Sequence, residues 1–283
     1  MAQFAEMQSI TIDNFKITFL ADGGGYLNPQ ALYPASAEKG WGEYGRFLTP
    51  EGYVVISIGG FLIESEHRKI VMDLGFGPAT VDFPGFGPFI GGKFLDSLQQ
   101  AGISRQDVTD VIFTHLHLDH VGWTTLEING RRELLFPQAS YLCTQPEWEY
   151  WQNDESGLGP HPQHIAAPLA RVIQFVKGGD EIAPGITVVS TPGHTPGHIS
   201  LQLEVGNQEI YLIADLLYCE VQFHEPGWHA VFDIDPVQGN KTRENIYALL
   251  AKPHIIVANG HFPDKVFGRL TQTDGRWLWQ PLD

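Results

Sequence analysis

His115-Leu116-His117-Leu118-Asp119-His120 is the stretch of this sequence that decides the fold, because it places three imidazoles and one carboxylate at metal-ligand spacing. The segment just before it, Asp110–Thr114, is short, β-branched and aromatic, which predicts a buried strand. Residues at the C-terminal end of such a strand project into a shared crevice. We therefore predict a metal centre on the loop that follows this strand.

The spacing inside this stretch predicts ligands for two ions. His115 and His117 lie two positions apart, so both can converge on one ion. Asp119 and His120 fall on the next turn and face a second position. Imidazole nitrogen and carboxylate oxygen suit zinc and its first-row neighbours, and a pair of such ions needs about seven ligands. Further ligands must therefore come from other parts of the chain.

Three later segments repeat the arrangement of a strand that ends near a potential ligand. Ile186–Ser190 runs into a Gly/Pro turn in which either His194 or His198 is a candidate. Two further apolar runs end at Asp215 and at His261. One such residue alone would be an ordinary helix cap or surface histidine, but their shared position at strand ends favours a common site.

The chain resembles the metallo-β-lactamase-fold hydrolases along nearly its whole length. The residues that carry this resemblance are Asp73 in Val71-Met72-Asp73-Leu74-Gly75, the run from His115 to His120, His194, Asp215 and His261. The resemblance implies that one metal is held by His115, His117 and His194. It implies a second metal held by Asp119, His120 and His261, with Asp215 bridging both. It also implies that Asp73 is a structural, hydrogen-bonding residue, and we expect His198 to have a supporting role.

Length and composition agree with the fold that the resemblance implies. The chain has 283 residues, of which 43% are hydrophobic, and no low-complexity linker divides it. We predict a single α/β (α+β) domain over residues 1–283, folded as a four-layer αββα sandwich. Separate strands are predicted at Tyr53–Ile58 and Phe61–Glu64, and a helix at Lys241–Ala251 with Asn240 as its cap.

The charge of the chain argues against nucleic acid as a partner. The net charge is −16 with only 17 Lys and Arg residues, whereas a nuclease would carry a basic surface. We expect a small, neutral or weakly charged substrate.

No stretch approaches membrane-spanning length and no secretory signal is visible, so we predict a cytoplasmic protein without membrane contact. Cys143 and Cys219 are too few for a disulfide framework, and Cys219 is expected to be a packed thiol. An exposed aromatic rim is compatible with a homodimer.

The expected chemistry follows from two divalent ions, with zinc preferred and iron, manganese or cobalt as alternatives. Such a pair makes a bridging hydroxide available at neutral pH as the nucleophile. Asp119 is placed to orient it or to pass a proton to the leaving group. Tyr218 lies three residues after Asp215, where the N-acyl homoserine lactonases of this superfamily carry a tyrosine whose phenol meets the substrate carbonyl. By this resemblance Tyr218 is the candidate oxyanion donor.

Several substrate classes remain open at this stage. The tyrosine favours lactones or related carboxylic esters. The segment from Cys219 to Asp233 resembles methyl parathion hydrolase-like members, which open phosphotriesters, and such a loop would wall an apolar pocket. The stretches Gly23 to Tyr53 and Phe76 to Gly92 are further candidates for rim loops. Less favoured are a glyoxalase II-like thioesterase, because basic residues for its anionic substrate are scarce, a mononuclear iron persulfide dioxygenase and a β-lactamase.

Overall fold

Two β-sheets packed face to face form the centre of the computed structural model, which describes residues 3–152 and 154–282. Met1 and Ala2, which belong to the N-terminal segment without a predicted signal, lie outside the described residues. In chain order the strands are β1 (Gln8–Ile12), β2 (Phe15–Leu27), β3 (Val54–Glu64), β4 (Lys69–Met72), β5 (Thr80–Phe83), β6 (Gly87–Ile90), β7 (Asp110–Ile112), β8 (Thr125–Ile128), β9 (Arg131–Leu134), β10 (Ser140–Thr144), β11 (Ile173–Val176), β12 (Glu181–Ala183), β13 (Ile186–Ser190), β14 (Ile199–Val205), β15 (Gln208–Leu212), β16 (Ile255–Ala258), β17 (Phe267–Thr273) and β18 (Arg276–Pro281).

Helices cover the outer faces of both sheets. They are α1 (Pro29–Leu32), α2 (Ser36–Lys39), α3 (Phe94–Gln100), α4 (Leu118–Val121), α5 (Gln145–Trp151), α6 (Ala167–Leu169), α7 (Val221–His224) and α8 (Pro236–Leu250), with 3-10 turns at Gly42–Phe47 and Ala214–Leu216 and a π-helical turn at Pro162–Ala166. The first sheet has the order β11-β10-β7-β4-β3-β2-β6-β5, with β1 beside β2, and the second runs from β12 through β13, β14, β15, β16 and β17 to β18. Within the described residues, no helix combines the length and apolar character needed to cross a bilayer.

The period-two alternation of the strands produces the layers. Phe19 of β2 and Leu201 of β14 point into the core between the sheets, where they are fully buried. Leu20 points to the opposite face of the first sheet, where it packs with Phe94 of α3. On the far side of the second sheet, Tyr247 of α8 packs over β15 and β16. Because successive side chains of a strand face opposite ways, each sheet buries both faces. The predicted four-layer αββα sandwich is confirmed.

The predicted break between two early strands is wrong, because β3 runs without interruption from Val54 to Glu64. The glycine pair Gly59-Gly60 lies between the two predicted strands. A Cβ atom on Gly59 would lie 2.4 Å from the carbonyl oxygen of Leu20, and one on Gly60 would lie 2.1 Å from that of Asp73. The glycines therefore permit close backbone packing and do not end the strand.

The predicted start of the last long helix is also wrong. Helix α8 begins at Pro236, and its N-cap is Asp235, whose carboxylate accepts a hydrogen bond from the backbone N–H of Gln238. Proline at the first helical position and aspartate before it are both favoured at a helix start. Asn240 instead lies inside the helix, where its side chain accepts a hydrogen bond from Arg243.

The carboxyl ends of several strands meet at one edge of the sandwich. Strands β4 and β7 are parallel neighbours in the first sheet, and β15 and β16 are parallel neighbours in the second. Strand β13 runs in the same direction as β15, because each is antiparallel to β14. The loops that leave these five strands carry the candidate site residues, so the topology brings distant parts of the chain to one place.

A buried aspartate on β2 joins the loops that flank this edge. Asp22 has no solvent exposure and lies where the β2–β3 register shifts. Its carboxylate accepts hydrogen bonds from five donors at 2.7–3.1 Å: the backbone N–H groups of Phe76, Gly77, Gly92 and Phe94, and the indole N–H of Trp123. The loop after β4 and the segment before α3 are therefore tied to one carboxylate.

We expect Asp22→Asn to lower the free energy of unfolding by about 2–4 kcal/mol, because an amide nitrogen would face buried N–H donors and leave them without an acceptor. Urea denaturation measures the change. Asp82→Asn, in exposed β5, is the matched control and should stay within about 0.5 kcal/mol. Equal stability of the two variants would contradict a structural role for Asp22.

Candidate metal centre

Each candidate residue follows the end of a strand at this edge. The run from His115 to His120 follows β7 and continues into α4, whose first residue is Leu118. His194 follows β13, Asp215 follows β15 and His261 follows β16. The structure therefore brings all seven predicted ligands to one edge, although they span 147 positions of the chain from His115 to His261.

Four of these residues form a first group, in which donor atoms converge. The Nε2 atom of His194 lies 2.8 Å from Nδ1 of His117 and 3.2 Å from Nε2 of His115. The carboxylate oxygen Oδ2 of Asp215 lies 3.4 Å from Nε2 of His194 and 3.7 Å from Nε2 of His115. These four side chains are buried and could hold one metal ion.

Asp119, His120 and His261 form a second group that could hold another ion. Nε2 of His120 lies 3.6 Å from Oδ2 of Asp119. The second oxygen of Asp215, Oδ1, lies 3.0 Å from Nε2 of His120 and 3.0 Å from Nε2 of His261. Asp215 therefore presents one carboxylate oxygen to each group, as a residue shared by two ions would.

Several ligand atoms of the two groups lack hydrogen-bond partners in the part of the chain that the structure describes, and the ligand spacings suit divalent cations. Within the described residues, both oxygens of Asp215 and the Nε2 atoms of His120 and His261 are buried and make no hydrogen bond. Buried polar atoms are normally satisfied. A tetrahedral zinc ion at its usual bond lengths would hold its nitrogen ligands about 3.3 Å apart. The observed separations of 2.8–3.7 Å in the first group surround this value.

The other nitrogen of most of these rings is held from outside the site. Nδ1 of His120 donates to Asp73 at 2.9 Å, and Nδ1 of His261 donates to the backbone oxygen of Ser57 at 2.8 Å. Asp73 also accepts from the backbone N–H and the hydroxyl of Thr114. Such contacts fix the ring orientation and select the nitrogen that is free to ligate. Asp73 thus has the hydrogen-bonding role that the family resemblance implied.

A buried glutamate joins the two loops that carry the first group. One oxygen of Glu147, on α5, accepts from the backbone N–H of Leu116 at 2.9 Å, and the other accepts from the hydroxyl of Thr195 at 2.6 Å and the N–H of Gly197 at 3.1 Å. Burial raises the pKa of the Glu147 carboxyl. The role of Glu147 could not be predicted from the sequence, because a lone glutamate in an amphipathic helix gives no signal of burial.

The charges of the site divide the histidines into two classes when no metal is bound. Burial and neighbouring imidazoles hold the pKa of His115 and of His117 well below the ordinary value. Burial also lowers the pKa of His120 and of His261, but the carboxylate of Asp215 outweighs it, so that both pKa values are raised. His115 and His117 are therefore neutral near neutral pH, whereas His120 and His261 hold a proton more strongly than a free imidazole does.

A cavity of about 290 Å³ opens beside the two groups. His117, Asp119 and Tyr218 lie at its polar end. The remaining lining residues are Phe83, Phe86 and Phe89 from the β5–β6 hairpin, Leu118, Ser156, Leu158, and Val231 and Phe232 from the segment before α8. The Phe76 to Gly92 stretch and the segment ending at Asp233 both contribute, as expected of rim loops. Among the described residues that line the cavity, none is Lys or Arg.

Tyr218 is buried against the second group. Its ring stacks on the imidazole of His261, with 4.7 Å between the ring centroids and 9° between the planes. Burial, together with the carboxylates of Asp215 and Asp119, raises the pKa of the Tyr218 phenol well above the ordinary value. Tyr218 therefore keeps its proton at physiological pH and is available as a hydrogen-bond donor at the cavity wall.

The two residues that the sequence left without a defined role lie beside the site. Nδ1 of His198 contacts the backbone oxygen of Thr191 at 3.0 Å, and its ring lies 5.3 Å from that of His115. Burial lowers the pKa of His198 to about 3. Cys219 is buried, and burial raises the pKa of its thiol to about 12, as expected of a packed thiol.

Comparison with known proteins agrees with this geometry. The Metallo-beta-lactamase superfamily matches residues 60–261. An N-acyl homoserine lactonase from Bacillus sp. is 27% identical over 227 residues, which cover 76% of this chain and 84% of the lactonase. AidC, a dizinc quorum-quenching lactonase solved with a product, has a TM-score of 0.83 at 22% identity, covering 99% of each chain. The hydrolase AbOPH of the beta lactamase superfamily has a TM-score of 0.80 at 27% identity, again covering 99% of each chain. The resemblance found in the motifs is confirmed.

We expect the two groups to bind divalent ions with different dependence on pH. An ion must displace the protons that the raised pKa values place on His120 and His261, whereas His115 and His117 are already neutral. One binding step should therefore weaken about tenfold per pH unit, for each proton displaced, as the pH falls below the raised pKa values of His120 and His261, while the other changes less. Calorimetric titration of the metal-free protein with Zn²⁺ in buffers of different ionisation enthalpy measures both steps. Identical proton release in both steps would contradict this division.

Proposed function

Because the chain belongs to the metallo-beta-lactamase superfamily, we propose that it is a dinuclear metal-dependent hydrolase that opens lactones or related carboxylic esters. The observation that carries the proposal is the position of Asp215, whose two oxygens face separate groups of histidines 3.0–3.7 Å away. The lactone class is supported by relatives named N-acyl homoserine lactonase. An N-acyl homoserine lactone is therefore the first substrate to test.

The proposed ligands are divided between the two ions by their distances. His115, His117 and His194 would hold the first ion, Asp119, His120 and His261 the second, and Asp215 both. We propose zinc, because a set of imidazole and carboxylate ligands suits it. When bound, such ions lower the pKa of water towards neutrality and polarise a carbonyl oxygen.

The protein side chains supply the remaining parts of the reaction. Tyr218, protonated and at the cavity wall, would donate a hydrogen bond to the substrate carbonyl oxygen as negative charge develops there. Asp119 lies at the junction of the cavity and the second group, where its carboxylate would orient the attacking water or carry a proton to the leaving alkoxide. Both roles place these residues in contact with substrate.

The cavity favours a neutral substrate with an apolar arm. Its walls are mainly the phenylalanine rings of the β5–β6 hairpin and of Phe232, with Val231, Leu118 and Leu158. Burial of an acyl chain there would contribute about 0.8 kcal/mol per methylene. The described lining offers no cation for the anionic conjugate that a glyoxalase II-like thioesterase would bind.

The aromatic walls also support a second candidate, the hydrolysis of neutral phosphotriesters. Four phenylalanines line the cavity, and Phe86 lies 5.5 Å from Phe232 across the two loops that supply them. Such rings can pack against an aryl or alkyl ester group without requiring charge. We rank this activity behind lactone opening, because relatives named as lactonases support the latter.

Three further expectations stay predictions. Both sheets contribute to the buried core between them, which supports one domain over residues 1–283. The cytoplasmic location and a homodimer are retained as proposals. The exposed side chains of Val81 and Val231, on the two loops that line the cavity, support the homodimer as an apolar rim.

We expect the metal-loaded protein to hydrolyse N-acyl homoserine lactones faster than phosphotriesters, thioesters or β-lactams in a single panel. Removal of the metals with a chelator should abolish the activity, and added Zn²⁺ should restore it, because the nucleophile depends on the ions. Substrate hydrolysis is followed by pH-stat titration. Activity that survives complete chelation would refute the metal mechanism, and a panel led by phosphotriesters would replace the substrate class.

We expect Tyr218→Phe to lower kcat about tenfold to hundredfold. Removal of one hydrogen-bond donor to a developing oxyanion lowers kcat by that order or more. Bound metal, measured by elemental analysis, should stay at the wild-type level. Tyr247→Phe is the matched control, since Tyr247 is also buried but lies on α8 and does not line the cavity. Wild-type turnover in Tyr218→Phe would remove the phenol from the mechanism.

A further inference from the structure

Asp233 is buried directly behind one of the proposed metal ligands. Its Oδ1 atom lies 3.0 Å from Nδ1 of His194, and its Oδ2 atom accepts from Nη2 of Arg243 at 3.1 Å. The side chain of Asp233 has no solvent exposure and that of Arg243 only 4%. Arg243 also donates to the backbone oxygen of Leu216 at 3.3 Å. A buried carboxylate, itself paired with a buried guanidinium, therefore contacts one ring nitrogen of His194.

The backbone around Asp233 is held against the loop that carries His194. The N–H of Ile234 donates to the backbone oxygen of His194 at 2.9 Å, and the N–H of Asp235 donates to that of Gly193 at 2.9 Å. A Cβ atom on Gly193 would lie 2.2 Å from the backbone nitrogen of Gly239 on α8. The backbone of Asp233 is therefore held beside the loop of His194, and Arg243 then fixes the orientation of the carboxylate.

This arrangement selects the nitrogen of His194 that faces the first group. A carboxylate can only accept, so the Nδ1 atom beside it carries the proton. The lone pair of the neutral ring then lies on Nε2, the atom that approaches His115 and His117 at 3.2 and 2.8 Å. Without the acceptor, the proton could occupy either nitrogen, and the ring would lose the contact that fixes its orientation.

Resting on the proposed function, we propose that Asp233 is a positioning residue that holds His194 in the tautomer and orientation needed to ligate the first metal ion. Arg243 keeps the carboxylate in place. The action is confined to the first group, because the second has its own contacts, from Asp73 to His120 and from Ser57 to His261.

The test compares Asp233→Asn in two backgrounds, each of which retains one group. His261→Ala removes a ligand of the second group and keeps the first intact, whereas His194→Ala does the reverse. Dissociation constants for Zn²⁺ are measured on metal-free proteins by competition with a chromophoric chelator, without substrate. We expect Asp233→Asn to weaken Zn²⁺ binding about 10–100-fold in the His261→Ala background, as is typical for loss of a carboxylate behind a metal-binding histidine. In the His194→Ala background it should change binding less than about threefold, because the contact is already absent.

The control is Asp96→Asn, which changes an exposed carboxylate on α3 and should leave both constants unchanged. Equal weakening by Asp233→Asn in the two backgrounds, or no weakening in either, would overturn the proposal. A wild-type protein that binds no Zn²⁺ would refute the proposed function and this inference together. Two-ion binding with unchanged constants in Asp233→Asn would refute this inference alone.

A measurement on the unsubstituted protein keeps the proposal testable if Asp233→Asn fails to fold. In the ¹⁵N NMR spectrum of histidine-labelled, zinc-loaded protein, His194 should carry its proton on Nδ1. A proton on Nε2 of His194 would overturn the proposal, whatever the behaviour of the variants.

Discussion

The buried carboxylate of Asp215 is the constraint on which the rest of this structure depends. It is 1% exposed, and burial of an isolated carboxylate costs several kcal/mol. Burial raises the pKa of Asp215, but the imidazoles of His120, His261, His115 and His194 outweigh it, so that the pKa lies well below the ordinary value. The carboxylate therefore needs positive charge on both of its oxygens. Without metal, protonated histidines of the second group supply part of this charge. Two divalent ions would supply it on both sides and release those protons.

The surrounding fold is organised to hold the ligands in place against this cost. Three further buried acidic residues lie behind the ligands or their loops, and each joins elements that are distant in sequence. Asp73 joins β4 to the ring of His120, Glu147 joins the two loops of the first group, and Asp233 joins α8 to His194. Because these carboxylates hold the outer nitrogens of His120 and His194 and the backbone of the first group's loops, the ligand positions are largely set before an ion arrives.

The same loops connect the metal centre to the cavity. The segment before α8 lines the cavity with Val231 and Phe232 and then places Asp233 behind His194. The β5–β6 hairpin lines the opposite side, and its flanking segments are held by Asp22. A change in either loop therefore acts on both the substrate wall and the residues beneath it. Because each loop lines the cavity and also contacts buried residues below it, substrate preference and metal affinity should change together in variants of these loops.

The residue types and spacing in the sequence predicted a metal site after β7 and left His194 and His198 as alternatives, and the full set of seven side chains came from the family resemblance. The sequence also predicted the strand Ile186–Ser190 with its observed bounds, since a β-branched run next to turn residues depends on neighbours in sequence. It placed the start of α8 at Lys241 instead of Pro236, and it divided β3 at Gly59-Gly60. The close approach of Gly59 to the backbone of Leu20, and of Gly60 to that of Asp73, lets β3 continue and depends on contacts that the local sequence does not show. The tertiary structure alone decided which oxygen of Asp215 faces which group, and that Glu147, Asp22 and Asp233 are buried. The sequence does not distinguish a solvated carboxylate from one that is surrounded by hydrogen-bond donors, because those donors are brought to it only by tertiary packing.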